Sequence, residues 1–261
     1  MKILFVGASS FGMNCLEAIY ALDKIEVVGV ISNEQKFSIS YNKSGVTNIL
    51  YKDFEETCID KKIPFYRMKN NMKEPELETF IEKVKPEMAI VVGWYHIIPK
   101  NLLTKLPFAG LHASLLPDYS GGAPLVWAII NGETTTGISF FLFDEGIDNG
   151  DIIGQRTIEI LPQDTIATLY NRIEILGKEL LLEYIPKLSK NEVDFIKQDE
   201  SKRRIFPQRN PTDGEINWNN SPYEIKNFIR AQTKPYPGAF TIINNKKITI
   251  WDADIDLHDI S

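Results

Sequence analysis

The sequence predicts an α/β core followed by a small β-rich unit, and three observations lead there. Short apolar runs that end in glycine or polar residues alternate with stretches of helical spacing over most of the chain. The first run, KILFVGA, passes through a Gly/Ser turn into helical spacing and on to VVGVI, which makes one βαβ unit. Near the C-terminal end the pattern changes to KPYPGA, which is rigid turn chemistry, and then to alternation around an Asn-Asn pair, a hairpin signal. The core is assigned to residues 1–195 and the β-rich subdomain to 196–261.

The elements follow in order. Residues 2–8 read as a strand buried on both faces, 14–22 as a helix and 26–32 as the second strand. Residues 33–44 are polar and aperiodic and read as a loop. Residues 47–60 read as a helix, 64–66 as a short strand, 74–83 as a helix and 88–92 as a strand. A strand end is expected at 110–112. A helix is expected over 124–131, with Pro124 suited to its first turn. GISFFLFD (137–144) is β-rich, 152–158 is a strand, and 165–188 is the longest helical pattern. Residues 208–218 look like a loop, 222–231 like a helix and 240–252 like a hairpin.

Composition narrows the function classes. A chain of 261 residues with 43% hydrophobic and 25% charged residues can bury a full core as one main domain with an appendage. The net charge of −6 argues against a nucleic-acid partner. Cys15 and Cys58 lie far apart without metal-ligand spacing and read as free buried thiols, so no metal is expected. The N-terminal apolar run is too short to span a membrane and lacks a cleavage pattern. No membrane partner is expected, and a cytoplasmic location is.

Chemistry concentrates between 108 and 155. His112 precedes a Ser-Leu-Leu-Pro turn, and Asp148 sits in a Gly-Ile-Asp-Asn-Gly-Asp loop. Read alone, His112 is a hydrogen-bonded core residue and Asp148 a turn-forming residue. Their context, each following a β-run in an α/β chain, points instead to a site at strand ends. GASSFG after the first strand departs from GxGxxG, and at the end of the second strand Asn33 and Glu34 come closest to the usual acidic residue. That turn either connects strand to helix or contacts a substrate.

LHASLLPDYSGGAP and GIDNGD, at this spacing, closely resemble the formyltransferases that use 10-formyltetrahydrofolate. RAQTKPYPGAF and the stretch 209–218 extend the resemblance past the core, and 33–70 is its least recognisable part. The resemblance implies a Rossmann-like formyltransferase core, His112 as proton acceptor, and Asp148 as the group that orients the imidazole. It places the folate between two loops, one with Trp94, His96, Ile97 and Ile98, the other with Asp144, Glu145, Gly146 and Ile147. Leu115 and Pro117 are expected to wall the site.

Within the family, GWYHIIP and APLVWAIINGE resemble the sugar N-formyltransferase branch, so the expected acceptor is the amine of a nucleotide-linked amino sugar such as a dTDP-4-amino-4,6-dideoxyhexose. Ser9, Ser10, Phe11, Lys69, Asn70, Gly121 and Gly122 are the expected acceptor contacts, with Arg67 an alternative for the pyrophosphate and Tyr223 or Tyr236 for the base. A homodimer is the family expectation. His258, in an acidic tail, is given no role. Alternatives are a methionyl-tRNA formyltransferase-like enzyme without a C-terminal barrel, a formyl-folate hydrolase or purine-pathway transformylase, and a folate- or nucleotide-binding protein without catalysis. One departure stands out: where the family has an oxyanion-stabilising asparagine, this chain has Gly110. Three outcomes are open there: a water fills the vacated space, His112 takes over oxyanion stabilisation, or the chain is slow or inactive.

Overall fold

The computed structural model of the protein describes residues 1–39 and 42–256, and their side chains apart from those of 39 and 42–44. His258 lies outside the described residues. The chain forms two compact units whose segments interleave. Residues 1–112, 139–155 and 176–198 make the first, and 113–138, 156–175 and 199 onward the second.

The elements in chain order are β1 (Lys2–Gly7), α1 (Ser10–Tyr20), β2 (Glu26–Asn33), β3 (Lys36–Ile39), β4 (Asn42–Thr47), α2 (Glu55–Asp60), β5 (Phe65–Met68), α3 (Pro75–Val84) and β6 (Met88–Val92). They continue with α4 (Lys100–Leu103), β7 (Phe108–His112), β8 (Ser120–Gly121), α5 (Pro124–Ile130), β9 (Thr135–Leu142), β10 (Ile152–Glu159), α6 (Ile166–Leu188), β11 (Ile205–Phe206), α7 (Pro222–Arg230), β12 (Ala239–Ile243) and β13 (Lys246–Ile250).

A seven-stranded sheet runs in the order β10-β9-β7-β6-β1-β2-β5. The five strands from β7 to β5 are parallel, and β9 turns antiparallel against β7. Ile3 to Val6 are fully buried, as expected of a central parallel strand covered on both faces. Because β1 has β2 on one side and β6 on the other, the chain leaves these neighbouring strands in opposite directions. The C-terminal ends of the parallel strands share one edge, where such sheets carry their ligands. One core cluster of the first unit joins Leu4, Val6, Ile31, Ala89, Val91 and Phe108 from four adjacent strands to Leu77 and Leu102 from α3 and α4.

The α/β class is borne out, and so are the free cysteines: Cys15 and Cys58 are buried thiols, and burial pushes the Cys58 pKa up to about 12. Two local expectations are corrected. Residues 33–44 contain β3 and the start of an antiparallel partner, β4, because polar side chains are compatible with a ribbon outside the main sheet. The helix expected over 47–60 is only the six residues of α2. Asn48 breaks the earlier part: its side chain accepts from Leu50 N–H at 3.0 Å and donates to the Ala8 carbonyl at 2.9 Å, which turns the backbone out of helical geometry. The C-terminal hairpin forms as expected, with Asn244 and Asn245 both at positive φ (51° and 59°) between β12 and β13.

Candidate active site

The site grows from β7. Side chains alternate along a strand, so Phe108, Gly110 and His112 share one face. Gly110 pairs with Val91 on one side and Phe141 on the other. His112 pairs with Ser139 of β9 and meets the Phe141 ring edge-on, with centroids 6.5 Å apart. The chain after β9 is tied back to β7 by a 2.8 Å bond from Phe143 N–H to the Phe108 carbonyl. The loop of residues 144–151 follows and brings Asp148 Oδ2 to 3.6 Å from His112 Nδ1. This exceeds a direct hydrogen bond but lies within ion-pair range. Both side chains are largely buried, at 11% and 24% exposure.

The position before His112 is not vacant. A Cβ on Gly110 would sit 2.7 Å from Phe143 Cζ and 2.8 Å from the Val91 carbonyl oxygen. A ring and a backbone oxygen already fill the direction an asparagine side chain would take. Of the three outcomes open at this position, this packing speaks against a water in that direction. Phe143 went unnoticed in the sequence because FFLFD reads as one apolar run, and nothing in it says which ring turns toward β7.

Asp148 sits in the left-handed region at φ 50°, an uncommon choice for a residue with a side chain. Its neighbours hold the loop. Asp144 accepts from Glu145 N–H at 2.7 Å, Asn149 Nδ2 donates to the Glu145 carbonyl at 2.6 Å, and Lys100 pairs with Glu145. A Cβ on Gly150 would meet the Leu142 carbonyl at 1.7 Å, so only glycine fits there. Gly146 is exposed, and Ile147 is 54% exposed.

The other expected folate loop follows β6. Ile98 is buried in the core and Ile97 is 75% exposed. Trp94 and His96 stack obliquely with centroids 5.3 Å apart. The Asn33 side-chain amide lies against the His96 ring, with Nδ2 3.3 Å from Nε2. Burial pushes the His96 pKa below its ordinary value, and Glu74 opposes this. Asn33, fully buried and missed as a site partner, leaves its Oδ1 without a donor, and Trp94 Nε1 without an acceptor, among the described residues.

The expected acceptor contacts divide between the units. In the first unit, Ser9 is buried and caps α1, its hydroxyl oxygen accepting from Gly12 N–H at 3.1 Å. Ser10 is exposed and Phe11 half-buried at the start of α1. The backbone N–H groups of Lys69 and Asn70 both go to the Glu74 carboxylate, which leaves only their exposed side chains for a ligand. Arg67 is bound to Asp53, Glu55 and Tyr51. Leu115, Pro117, Gly121 and Gly122 belong to the second unit. There Leu115 packs against Gly137, Pro117 follows a cis peptide bond, and β8 pairs with β11 so closely that a Cβ on Gly122 would meet Gln208 Cα at 2.4 Å. Tyr236 shares a 2.8 Å hydroxyl hydrogen bond with Tyr170, and Tyr223 is 64% exposed on α7.

The sequence matches the formyl transferase family over residues 1–185 and the formyl transferase C-terminal domain over 209–260. The chain belongs to the formyl transferase family. A methionyl-tRNA formyltransferase from Alkaliphilus oremlandii is 34% identical over 258 residues, covering 98% of this chain and 80% of that one. Among solved structures, a 4-N formyltransferase from Francisella tularensis aligns with TM-score 0.74 at 20% identity, covering 97% of this chain and 98% of that one. An N-formyltransferase from Helicobacter canadensis, solved with folinic acid and dTDP-3-aminofucose, aligns with TM-score 0.70 at 24% identity over 95% of this chain and 86% of that one. At these identities the two structures speak for the shared Rossmann-like fold.

For this formyltransferase the expected sugar acceptor is overturned. Six relatives at 29–36% identity, matched over 70–99% of this chain, are methionyl-tRNA formyltransferases. The physical reason lies in the segments that suggested a sugar. In APLVWAIINGE, Leu125, Val126, Ala128 and Ile129 of α5 are buried, and in GWYHIIP the second isoleucine is core. Such residues report packing, which formyltransferases with different acceptors can share. No described helix is long and apolar enough to cross a membrane. Among the described residues, no three His, Cys, Asp or Glu side chains gather as metal ligands would.

Proposed function

We propose that this formyltransferase moves the formyl group of 10-formyltetrahydrofolate onto a primary amine, with His112 accepting the proton and Asp148 orienting it. The observation that carries the reading is the 3.6 Å approach of Asp148 Oδ2 to His112 Nδ1. A carboxylate on the Nδ1 side favours the tautomer with its proton there, and Nε2 is then the basic nitrogen that meets the amine. Pairs of this kind are often long without substrate and tighten when it binds. The folate supplies the formyl carbon. The two loops carried over as its contacts each expose an isoleucine, Ile97 and Ile147, of the sort a flat heterocycle would cover.

Methionyl-tRNA is the acceptor that the sequence relatives support, against the expectation drawn from the net charge of −6. Ser10, Phe11 and the side chains of Lys69 and Asn70 follow the C-terminal ends of β1 and β5 and are proposed as acceptor contacts. The test is to incubate the protein with 10-formyltetrahydrofolate and either methionyl-tRNA or nucleotide-linked amino sugars, and to read formylation by mass. One formyl group on methionyl-tRNA supports the proposal. Product on a sugar alone overturns the acceptor, and folate binding without product on any amine overturns the catalysis.

A further inference from the structure

Gln198 lies 50 residues beyond Asp148, yet its side chain reaches the loop that carries it. Gln198 Nε2 donates to the Asp148 carbonyl and to the Gly150 carbonyl, each at 2.7 Å. An antiparallel bridge between Ile152 and Ile196, with bonds of 2.8 and 2.9 Å, brings it there. A primary amide has two N–H bonds on one nitrogen, so it can serve two carbonyls at once.

We infer that Gln198 is a positioning residue for Asp148. The inference rests on the reading that His112 and Asp148 act together. The Asp148 carbonyl belongs to the peptide that follows its α-carbon, so fixing that oxygen fixes ψ at a residue held at φ 50°. Left-handed backbone is disfavoured for a residue with a Cβ. Without the tie, residue 148 relaxes toward right-handed or extended backbone, and the carboxylate swings away from His112 Nδ1. The second bond, to Gly150, anchors the loop where the Leu142 carbonyl leaves no room for a side chain. A leucine at 198 keeps the bulk and removes both donors. A glutamate sets carboxylate oxygens against two carbonyls.

The test is a double-mutant cycle with a spectroscopic arm. Gln198→Leu is expected to lower kcat about 10- to 100-fold, the scale of a misplaced catalytic group, with KM changed less than about twofold. Gln198→Glu should lower it at least as much. In an Asp148→Ala background the same Gln198→Leu change should cost less than about twofold, because nothing is left to position. Equal losses in both backgrounds, or no loss in either, overturn the inference. The chain has three histidines, so the imidazole nitrogen resonances of His112 can be assigned. They should report the Nδ1–H tautomer in the native protein and a mixture in Gln198→Leu. Unchanged resonances overturn the positioning role even if Asp148→Ala proves fully active, an outcome that would count against the catalytic reading instead.

Discussion

Gly110 and Asp148 both stand beside the His112 imidazole, and they are held by different physics. Gly110 is fixed by packing. It lies inside the sheet, between Val91 and Phe141, with the Phe143 ring where a side chain would begin. Asp148 is fixed by hydrogen bonding, in a partly exposed loop whose backbone conformation a distant glutamine stabilises. The two sides are therefore fragile in different ways. A strand position in a close-packed sheet resists added volume, because neighbouring strands cannot move independently. A loop position depends on a few polar ties.

The largest effect should come from the residue both sides serve. His112→Asn is expected to reduce kcat about 10²- to 10⁴-fold, the range of a lost general base, with the urea midpoint little changed. A loss below threefold would move the proton acceptor elsewhere. Next, Gly110→Ala and Gly150→Ala separate packing from positioning. Gly110→Ala should cost about 1–3 kcal/mol of stability, since its methyl group enters a filled space. Gly150→Ala should lower stability at least as much and also lower kcat, because relieving the clash with the Leu142 carbonyl moves the loop that carries Asp148. Denaturant titration and steady-state kinetics on both variants check this, and a Gly150→Ala protein with native kcat would show that the loop does not position Asp148.

The smallest effect concerns His96. Burial lowers its folded pKa below the unfolded value of 6.5. Its contribution is therefore fully present above pH 6.5 and is lost as pH falls from there through the folded value. Between about pH 7.5 and about pH 5.5 the native protein should lose stability, and His96→Gln should flatten that limb. Equal slopes in both proteins would show that His96 takes up its proton alike in the folded and unfolded states, against the lowering by burial.

Much of this was legible in the sequence because it is written in local pattern. Short apolar runs such as ILFV and AIVV, bounded by turn residues and rich in β-branched side chains, read as buried strands, and HASLLP with GIDNGD marked His112 and Asp148. Asn244 and Asn245 announced their own turn. What stayed hidden depends on contacts between residues distant in sequence. Gln198 meets Asp148 only through the Ile152–Ile196 bridge, and Asn33 meets His96 only because β2 and β6 end at one edge of the sheet. The acceptor was misread for a related reason. Part of what was taken as its signature, Ile98 and the Leu125, Val126, Ala128 and Ile129 face of α5, is buried, and a buried helix face records what it packs against.

If formyl transfer runs on His112 and Asp148, with Phe143 and no side chain from residue 110 at the glycine, single-turnover formylation by the native protein, Gly110→Asn, Phe143→Ala and the double variant will show it. The native protein should transfer the formyl group, Gly110→Asn should be slower, and Phe143→Ala should restore part of the rate in the Gly110→Asn background by giving the amide room. A Gly110→Asn protein that is as stable as the native one and faster would contradict this assignment.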